Sequence, residues 1–535
     1  MNGNYILNAE EVKESESYLI ETFQKLAELE KKGINGIWAR IIKNAFAPLF
    51  VGQFDLIVGN PPWVNWEALP QEYRDATNPI WQKYNLFEHT GLRARLGSSG
   101  DDISVLLTYV SLDNYLIPTG KLCFVITQTL FKSAGGGEGF RQFKLGLNGA
   151  PFKVHQVDDM VNLQPFEGAT NRTAVILCQK GATTQYPVEY HIWKKKLKGS
   201  IEIDLSWEEV KERTIVKYLK AQSVDGTLKG PWITAKNKAL NACKKMLGKS
   251  SYRARKGIST SANGVYWISI NEKRDSHLMI KNLYDIGKKA IAPVEMEVEN
   301  NIVAPLLRGR DVERWKAIPS AYIIHGQNPR DPSKAYEEKV FLQDFPLGYD
   351  YLFQFKDVLQ ARKDYIKFFQ PANAPFYSLF NFGPYSLEPY KVVWKEIDSD
   401  FRAAVLSPQK DEFLGDRVIP LADHKLITIS FADPKEAFYL SSILNSSLVR
   451  FVVLSYTVST QLSTHILENI AIPKYDSSNE LHNQIAILSQ RCHEKALLGI
   501  DLMDIEHQID ESVAELWRLT PDELRDIEDS LEELK

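Results

Sequence analysis

The stretch that most constrains this chain is Phe54-Asp55-Leu56-Ile57-Val58-Gly59-Asn60-Pro61-Pro62-Trp63. Phe54 to Val58 is a short apolar run with β-branched residues, which reads as a buried parallel strand. Gly59 ends it, and Asn60-Pro61-Pro62 cannot continue a sheet, because proline lacks the N–H and fixes φ. The result is a rigid turn at the carboxyl end of a strand, where open α/β sheets place their ligands. The turn carries an amide, a carbonyl locked in direction by two prolines, and an indole. An amide oxygen beside a carbonyl can accept both hydrogens of an exocyclic amine, and the indole offers a flat face to a base that has left its stack. The alternative is a plain turn after a strand, with Trp63 in the core.

This arrangement resembles motif IV (Asn-Pro-Pro-aromatic) of the DNA adenine-N6 methyltransferases; the strand before it and the aromatic after it make the match specific. The resemblance implies an S-adenosyl-L-methionine-dependent enzyme acting on double-stranded DNA by base flipping, with Asn60, Pro61, Pro62 and Trp63 catalytic. Further matches follow. Asp101-Asp102 introduces an apolar helix, Ile103 to Leu116, as an N-cap pair. This is similar to motif V, which puts Asp102 and Leu107 at the cofactor, although the family usually has an aromatic where Leu107 stands. Lys121 to Thr127 reads as a strand after the turn Pro118-Thr119-Gly120 and resembles motif VI. Strands at Lys153 to Val157 and Thr173 to Gln179 resemble the closing antiparallel hairpin of these enzymes. Phe166, between them, matches the aromatic of motif VIII and would stack on the base opposite Trp63; a place in the hairpin core is its other reading.

One expected part is missing. Neither Gly33-Ile34-Asn35-Gly36 nor Gly135-Gly136-Gly137 follows a strand and opens a helix as a nucleotide-binding loop must. The chain therefore looks like the latter part of such an enzyme, beginning just upstream of motif IV. Two expectations follow. The first is a methyltransferase subunit of a restriction-modification or phage-defence system, whose protein partner carries motif I and shares the cofactor. The second is an inactive, methyltransferase-like DNA-binding or assembly subunit of a defence complex. A nuclease is not favoured, because no Asp…Glu-x-Lys set stands on adjacent strands. Protein glutamine methylation also uses an Asn-Pro-Pro-aromatic turn, but a large recognition domain follows here.

That domain is read from a change in composition. With 535 residues, the chain exceeds one core. Its net charge is only −4, so a nucleic-acid surface must be local. From Lys229 to Lys256 nine cations occur with no acidic residue, ending in Lys249, Arg253, Arg255 and Lys256. Such a run is a candidate phosphate surface, or a solvated face. The next segment, Gly257 to Gly264, holds Ser259 and Thr260, and a glycine and hydroxyl loop lets backbone N–H groups approach phosphate. This region, with Leu306 to Val312, Pro389 to Trp394 and Ile470 to Pro473, resembles the target-recognition domain of type IIG restriction-modification enzymes. Arg308 and Arg310 would read guanine or hold phosphate, or pair with Asp311 and Glu313.

The expected fold class is thus α/β: the C-terminal part of a Rossmann-like methyltransferase sheet, an α+β target-recognition domain, and a C-terminal helical segment. The expected domains are residues 1–50 (helical), 51–205 (catalytic), 206–475 (recognition) and 476–535 (acidic helices, packed on a partner or on the basic domain). Residues 64–100 read as an irregular loop and 181–228 as transitional. Four scattered cysteines and histidines without ligand spacing, among them His325, His424 and His465, point to no metal site and suit a reducing cytoplasm. No apolar run reaches the roughly 18 residues of a membrane span.

Overall fold

The computed structural model describes residues 9–33, 40–41, 43–44, 47, 50–87, 101–133, 136–166, 172–196, 201–202, 204–287, 290–457 and 461–534. Residues 34–36, Gly135 and residues 97–100 lie outside them. The first described element is helix α1 (Ala9–Lys31). The chain is a mixed α/β structure built on large sheets.

The first sheet has seven strands: β1 (Phe54–Gly59), β2 (Leu116–Thr127), β3 (Phe152–Asp159), β4 (Thr173–Lys180), β5 (Val188–Lys195), β6 (Thr214–Ser223) and β7 (Trp232–Ala235). Their order is β1-β2-β4-β3-β5-β6-β7. β1 runs parallel to β2, β3 parallel to β5, and the remaining pairs are antiparallel. β3 and β4 are the expected closing pair. The turn expected at Pro118-Thr119-Gly120 is a bulge inside β2: Phe54 pairs with Leu116 and Leu56 with Lys121, so the residues between loop out, with Thr119 at φ 75°. The prolyl ring cannot join the ladder, and the bulge absorbs it. β1 is an edge strand rather than the buried one its apolar sequence suggests.

Two other segments differ from expectation. Residues 64–100 hold a helix, α2 (Gln71–Lys83), whose Trp81 is fully buried and stacks on Phe87 at 4.7 Å. Residues 181–228 supply β5 and β6, and the sheet runs on to Ala235, so a boundary at 205 would cut it. Alternation along β5 (Val188, Tyr190 and Ile192 buried) was the readable signal. The apolar helix is α3 (Ile103–Val110); it passes through a widened turn at Ser111–Tyr115 into β2. Helices α2 and α3 pack with the strands in one core that includes Tyr84, Tyr109, Phe131, Phe152 and Trp232.

The rest is built on a six-stranded and a four-stranded sheet with helices around them. The latter includes Tyr390–Lys395 at its centre, packed under helices α5 (Pro434–Asn445) and α6 (Ser447–Tyr456). Before them comes α4 (Asn237–Cys243), and after them α7 (Glu480–Leu497), α8 (Met503–Leu516) and α9 (Pro521–Leu534). The acidic C-terminal helices pack on the basic segment of the chain itself: Leu524, Ile527 and Leu531 enter the core that holds Leu240 and Met246. Around that contact Glu523 pairs with Lys245 at 2.7 Å and Glu533 with Lys236. His325 is half-buried, and desolvation pushes its imidazole down to about 4.

Candidate active site

The Asn60–Trp63 turn leaves the carboxyl end of β1, where Gly59 lies beside Phe124 of β2. A side chain at 59 would meet the Phe124 ring at 3.1 Å, so glycine lets the two strands close up at the turn. Asn60 is exposed and its amide makes no hydrogen bond among the described residues. Pro61 is buried and Pro62 exposed. Trp63 is half-buried, and its indole N–H donates to the Val125 carbonyl of β2 at 3.1 Å. That bond fixes the ring against the sheet. Beyond it, the Ile103 N–H donates to the Val64 carbonyl (2.9 Å) and the Trp66 N–H to the Asp101 carbonyl (3.0 Å). The turn is thus sewn to the start of α3, as the motif IV and motif V resemblances imply.

Phe166 stands at Trp63, ring centroids 5.6 Å apart and planes at 69°. Both rings are brought together, as expected, but they touch edge to face. A base between them requires the rings to part; Trp63 is held by its bond to Val125, and Phe166, in the β3–β4 connection, is exposed.

The two expected cofactor residues are built into the fold around α3. Asp102 caps α3: one carboxylate oxygen accepts from the Ser104 N–H and hydroxyl, the other from the Thr127 hydroxyl at 2.8 Å. Burial raises its pKa. With both oxygens engaged, it is a structural cap that ties α3 to β2. Asp101 is also buried, accepts from the Gly137 N–H at 2.6 Å, and is pushed up to about 7 by burial. Leu107 is half-buried against the core of the first sheet. Among the described residues no glycine-rich loop joins a strand to a helix beside Asn60. The described residues therefore do not by themselves fit an S-adenosylmethionine site.

A buried polar cluster that the sequence did not reveal lies at the carboxyl ends of β2 and β3. Asp159 accepts from the Tyr190 hydroxyl (2.6 Å) and the Gln128 amide (3.1 Å). Lys132 lies over the Tyr190 ring and donates to the Thr234 hydroxyl (3.0 Å) and the Ser455 carbonyl (2.9 Å). Burial pulls its ammonium down to about 8. No periodicity marks such residues, because their partners are 31 to 323 positions away.

The expected DNA contacts divide in two. Lys249, Arg253, Arg255 and Arg310 are exposed. Arg253 and Arg255 line an open cleft of about 410 Å³ with Tyr385, Thr428 and Lys474, and the Arg255 guanidinium lies 4.7 Å above the Tyr385 ring. The others are engaged internally. Lys256 pairs with Glu396 at 2.7 Å. Thr260 is buried and bonds Asn263, and Ser259 faces Ser261 and Asp364. The backbone N–H groups of Gly257, Ile258 and Ser259 donate to Leu426, Ala422 and Phe380 carbonyls, so the start of this loop is knitted into the fold and those three amides are not open to phosphate. Arg308 is buried, with its guanidinium on Ser320 and 3.5 Å from Asp311: the ion-pair reading holds for it.

No protein of curated function matches the chain in sequence. Among solved structures it is similar to the type IIL restriction-modification enzyme MmeI in complex with DNA (10% identity, TM-score 0.48, covering 90% of this chain and 57% of that one). It is similar also to the type IIG restriction endonuclease BpuSI (13%, TM-score 0.30, 91% and 54%) and to a nuclease-deletion mutant of the type ISP enzyme LlaGI (12%, TM-score 0.37, 82% and 41%). The chain spans about half the length of these structures. Residues 4–160, which hold β1, the Asn60–Trp63 turn and the opening of α3, match the family model of the Eco57I restriction-modification methylases.

Proposed function

We propose that this chain is the catalytic-turn and target-recognition part of a site-specific DNA adenine-N6 methyltransferase of a restriction-modification or phage-defence system. The observation that carries the reading is the turn itself: an exposed Asn60 amide, unpaired among the described residues, beside a proline-locked carbonyl, at a strand end, within a stretch that matches a methylase family. Adenine N6 is a weak nucleophile because its lone pair is delocalised into the ring. Asn60 Oδ1 and the Pro61 carbonyl accept its two N–H bonds and localise that lone pair, and Pro62 keeps the acceptors from turning away. Trp63, anchored on Val125, and Phe166 take the extruded base, each stack contributing roughly 1–3 kcal/mol. Positioning and electrostatics suffice for the part played by these residues. The methyl group belongs to S-adenosylmethionine, whose site a partner protein completes. Lys249, Arg253, Arg255 and Arg310 hold the DNA backbone, since they are the expected cations left exposed.

The test is methyl transfer to DNA by the chain with its partner. Asn60→Ala should abolish incorporation while leaving DNA binding intact; full activity in that variant would end the assignment. A second reading, an inactive DNA-binding or assembly subunit, is favoured by one observation, the engaged carboxylate of Asp102. Calorimetry separates the two: S-adenosylmethionine binding in the assembled complex supports the enzyme, and its absence in every assembly supports the inactive subunit.

A further inference from the structure

We infer that a cleft at the far edge of the first sheet, closed on its other side by the chain that follows α4, is a binding site for a nucleoside phosphate, distinct from the Asn60 turn. Topology sets the two sites apart. β3 and β5 run in the direction of β1 and β2 and end at the sheet edge that bears Asn60. β6 is antiparallel to β5, so it ends at the opposite edge. There Gln222 and Asp225, at the β6–β7 turn, and Tyr186, just before β5, form one wall. The other wall is the segment Lys244 to Lys249 with Asn469. A β-bridge between Leu247 and Ile470 and the Gly248 N–H on the Asn469 carbonyl (3.1 Å) hold that wall together. The cleft measures about 580 Å³. That lies within the roughly 300–1,000 Å³ of small-molecule sites, which favour the junctions between folded units.

Gln222 points to the ligand. It is only 7% exposed, and its side chain makes no hydrogen bond among the described residues. It stands opposite Ile233 in the β6–β7 ladder, so the two side chains share a face. Ile233 packs with Leu240, Cys243 and Met246, which directs the Gln222 amide at the chain just after α4. Buried amides are almost always bonded, so an unpaired one lining a cleft calls for a partner from outside the chain. The Asn469 amide, on the other wall, is also unbonded among the described residues. A carboxamide presents a donor and an acceptor together, the pattern that matches the edge of a nucleobase. Lys249 is exposed and makes no ion pair among the described residues, and Lys244 donates only to Asn241, at 3.0 Å. Two ammonium groups suit a phosphate. Asp225 commits one oxygen to the Ser223 hydroxyl (2.7 Å) and the Thr227 N–H (2.8 Å). Its other oxygen suits ribose hydroxyls, as acidic side chains do in nucleotide sites. A bare anion would leave both amides unused, and an apolar ligand would strand both ammonium groups.

The test is amide hydrogen exchange of the full chain with each of the four ribonucleoside triphosphates, with inorganic triphosphate and with a single-stranded deoxyoligonucleotide. The expected result is slowed exchange at residues 223–226 and 244–249 together, saturating with a dissociation constant below about 1 mM. Protection by a free triphosphate assigns the cleft to a soluble nucleotide, and protection by the oligonucleotide alone assigns it to a nucleotide unit of a strand; both sustain the inference. Gln222→Leu and Lys244→Met should each weaken that binding by roughly tenfold or more. Both variants should melt with the parent, Lys244 because it is exposed and Gln222 because it gives up no bond within the described chain. Asn60→Ala should leave the binding unchanged, so the outcome does not depend on the methyltransferase reading. The inference is overturned if no probe protects both segments, if inorganic triphosphate protects them as well as the nucleotides do, or if the Gln222 and Lys244 variants bind as the parent. Loss of the binding in Asn60→Ala would move the ligand to the turn and overturn it equally.

Discussion

At the scale of single residues, the structure sorts groups that look alike in the sequence by what they already touch. Asp101 and Asp102 are adjacent buried carboxyls, and neither is offered to a ligand as a free anion. Asp101 makes a pH prediction. Burial pushes its folded value up to about 7 from an ordinary 3.8, so the folded chain keeps a proton that the unfolded chain releases. Stability at this site is fully present at low pH and falls as pH rises between about 4 and about 7. Asp101→Asn, which keeps the acceptor for the Gly137 N–H, should remove that slope from melting temperatures measured across the window. The arginines divide the same way. Arg253→Ala and Arg255→Ala should each lower DNA affinity and reduce the salt slope by about one, without moving the melting temperature. Arg308→Ala removes the guanidinium from beside Asp311, which still accepts from the 308 N–H and the Ser320 hydroxyl, so it should cost roughly 1–3 kcal/mol of stability, checked by denaturant titration.

At the scale of elements, what was legible depended on whether the signal is local. The strand before Asn60, the capped start of α3, and β3 and β4 follow from short-range pattern and stand where the sequence put them. Asp102 is legible as an N-cap, and the structure has it so; what local pattern does not show is that Thr127, 25 positions on, takes its other oxygen. β5 carries the alternation of a half-buried strand over only Val188 to Ile192, and β6 has no regular alternation, so the pair gives a weak local signal. The Gly257–Gly264 segment is read from composition alone, and composition does not show that its first three amides are spent on residues more than 100 positions away. α9 illustrates how burial outranks charge. Its ion pairs with Lys236 and Lys245 are largely at the surface, whereas Leu524, Ile527 and Leu531 are buried. Ile527→Ala and Leu531→Ala should each destabilise by roughly 2–5 kcal/mol, and Glu523→Gln by less than about 1 kcal/mol, in the same chemical unfolding experiment.

At the scale of the whole molecule, the sheet that bears the candidate site and the region that bears the exposed cations are joined through Lys132. Its Nζ leaves the first sheet's core, crosses to Thr234 on β7 and reaches the Ser455 carbonyl near the end of α6. An ammonium buried on hydroxyl and carbonyl acceptors costs solvation, which is why its value falls to about 8 from 10.5. The folded chain therefore loses this proton at a lower pH than the unfolded chain does, and stability at this site rises with pH from about 8 to about 10.5. Lys132→Met keeps the length and packing of the side chain and removes the charge. The variant should melt at a temperature that no longer climbs across that window. Thr234 also donates to the Ser455 carbonyl, at 3.2 Å, so that acceptor keeps a partner in the variant. If Lys132 holds the two regions in register for a base lifted from DNA bound some distance away, the variant should bind DNA as the parent does yet transfer methyl groups more slowly. Equal methylation rates at equal occupancy would restrict Lys132 to a packing role.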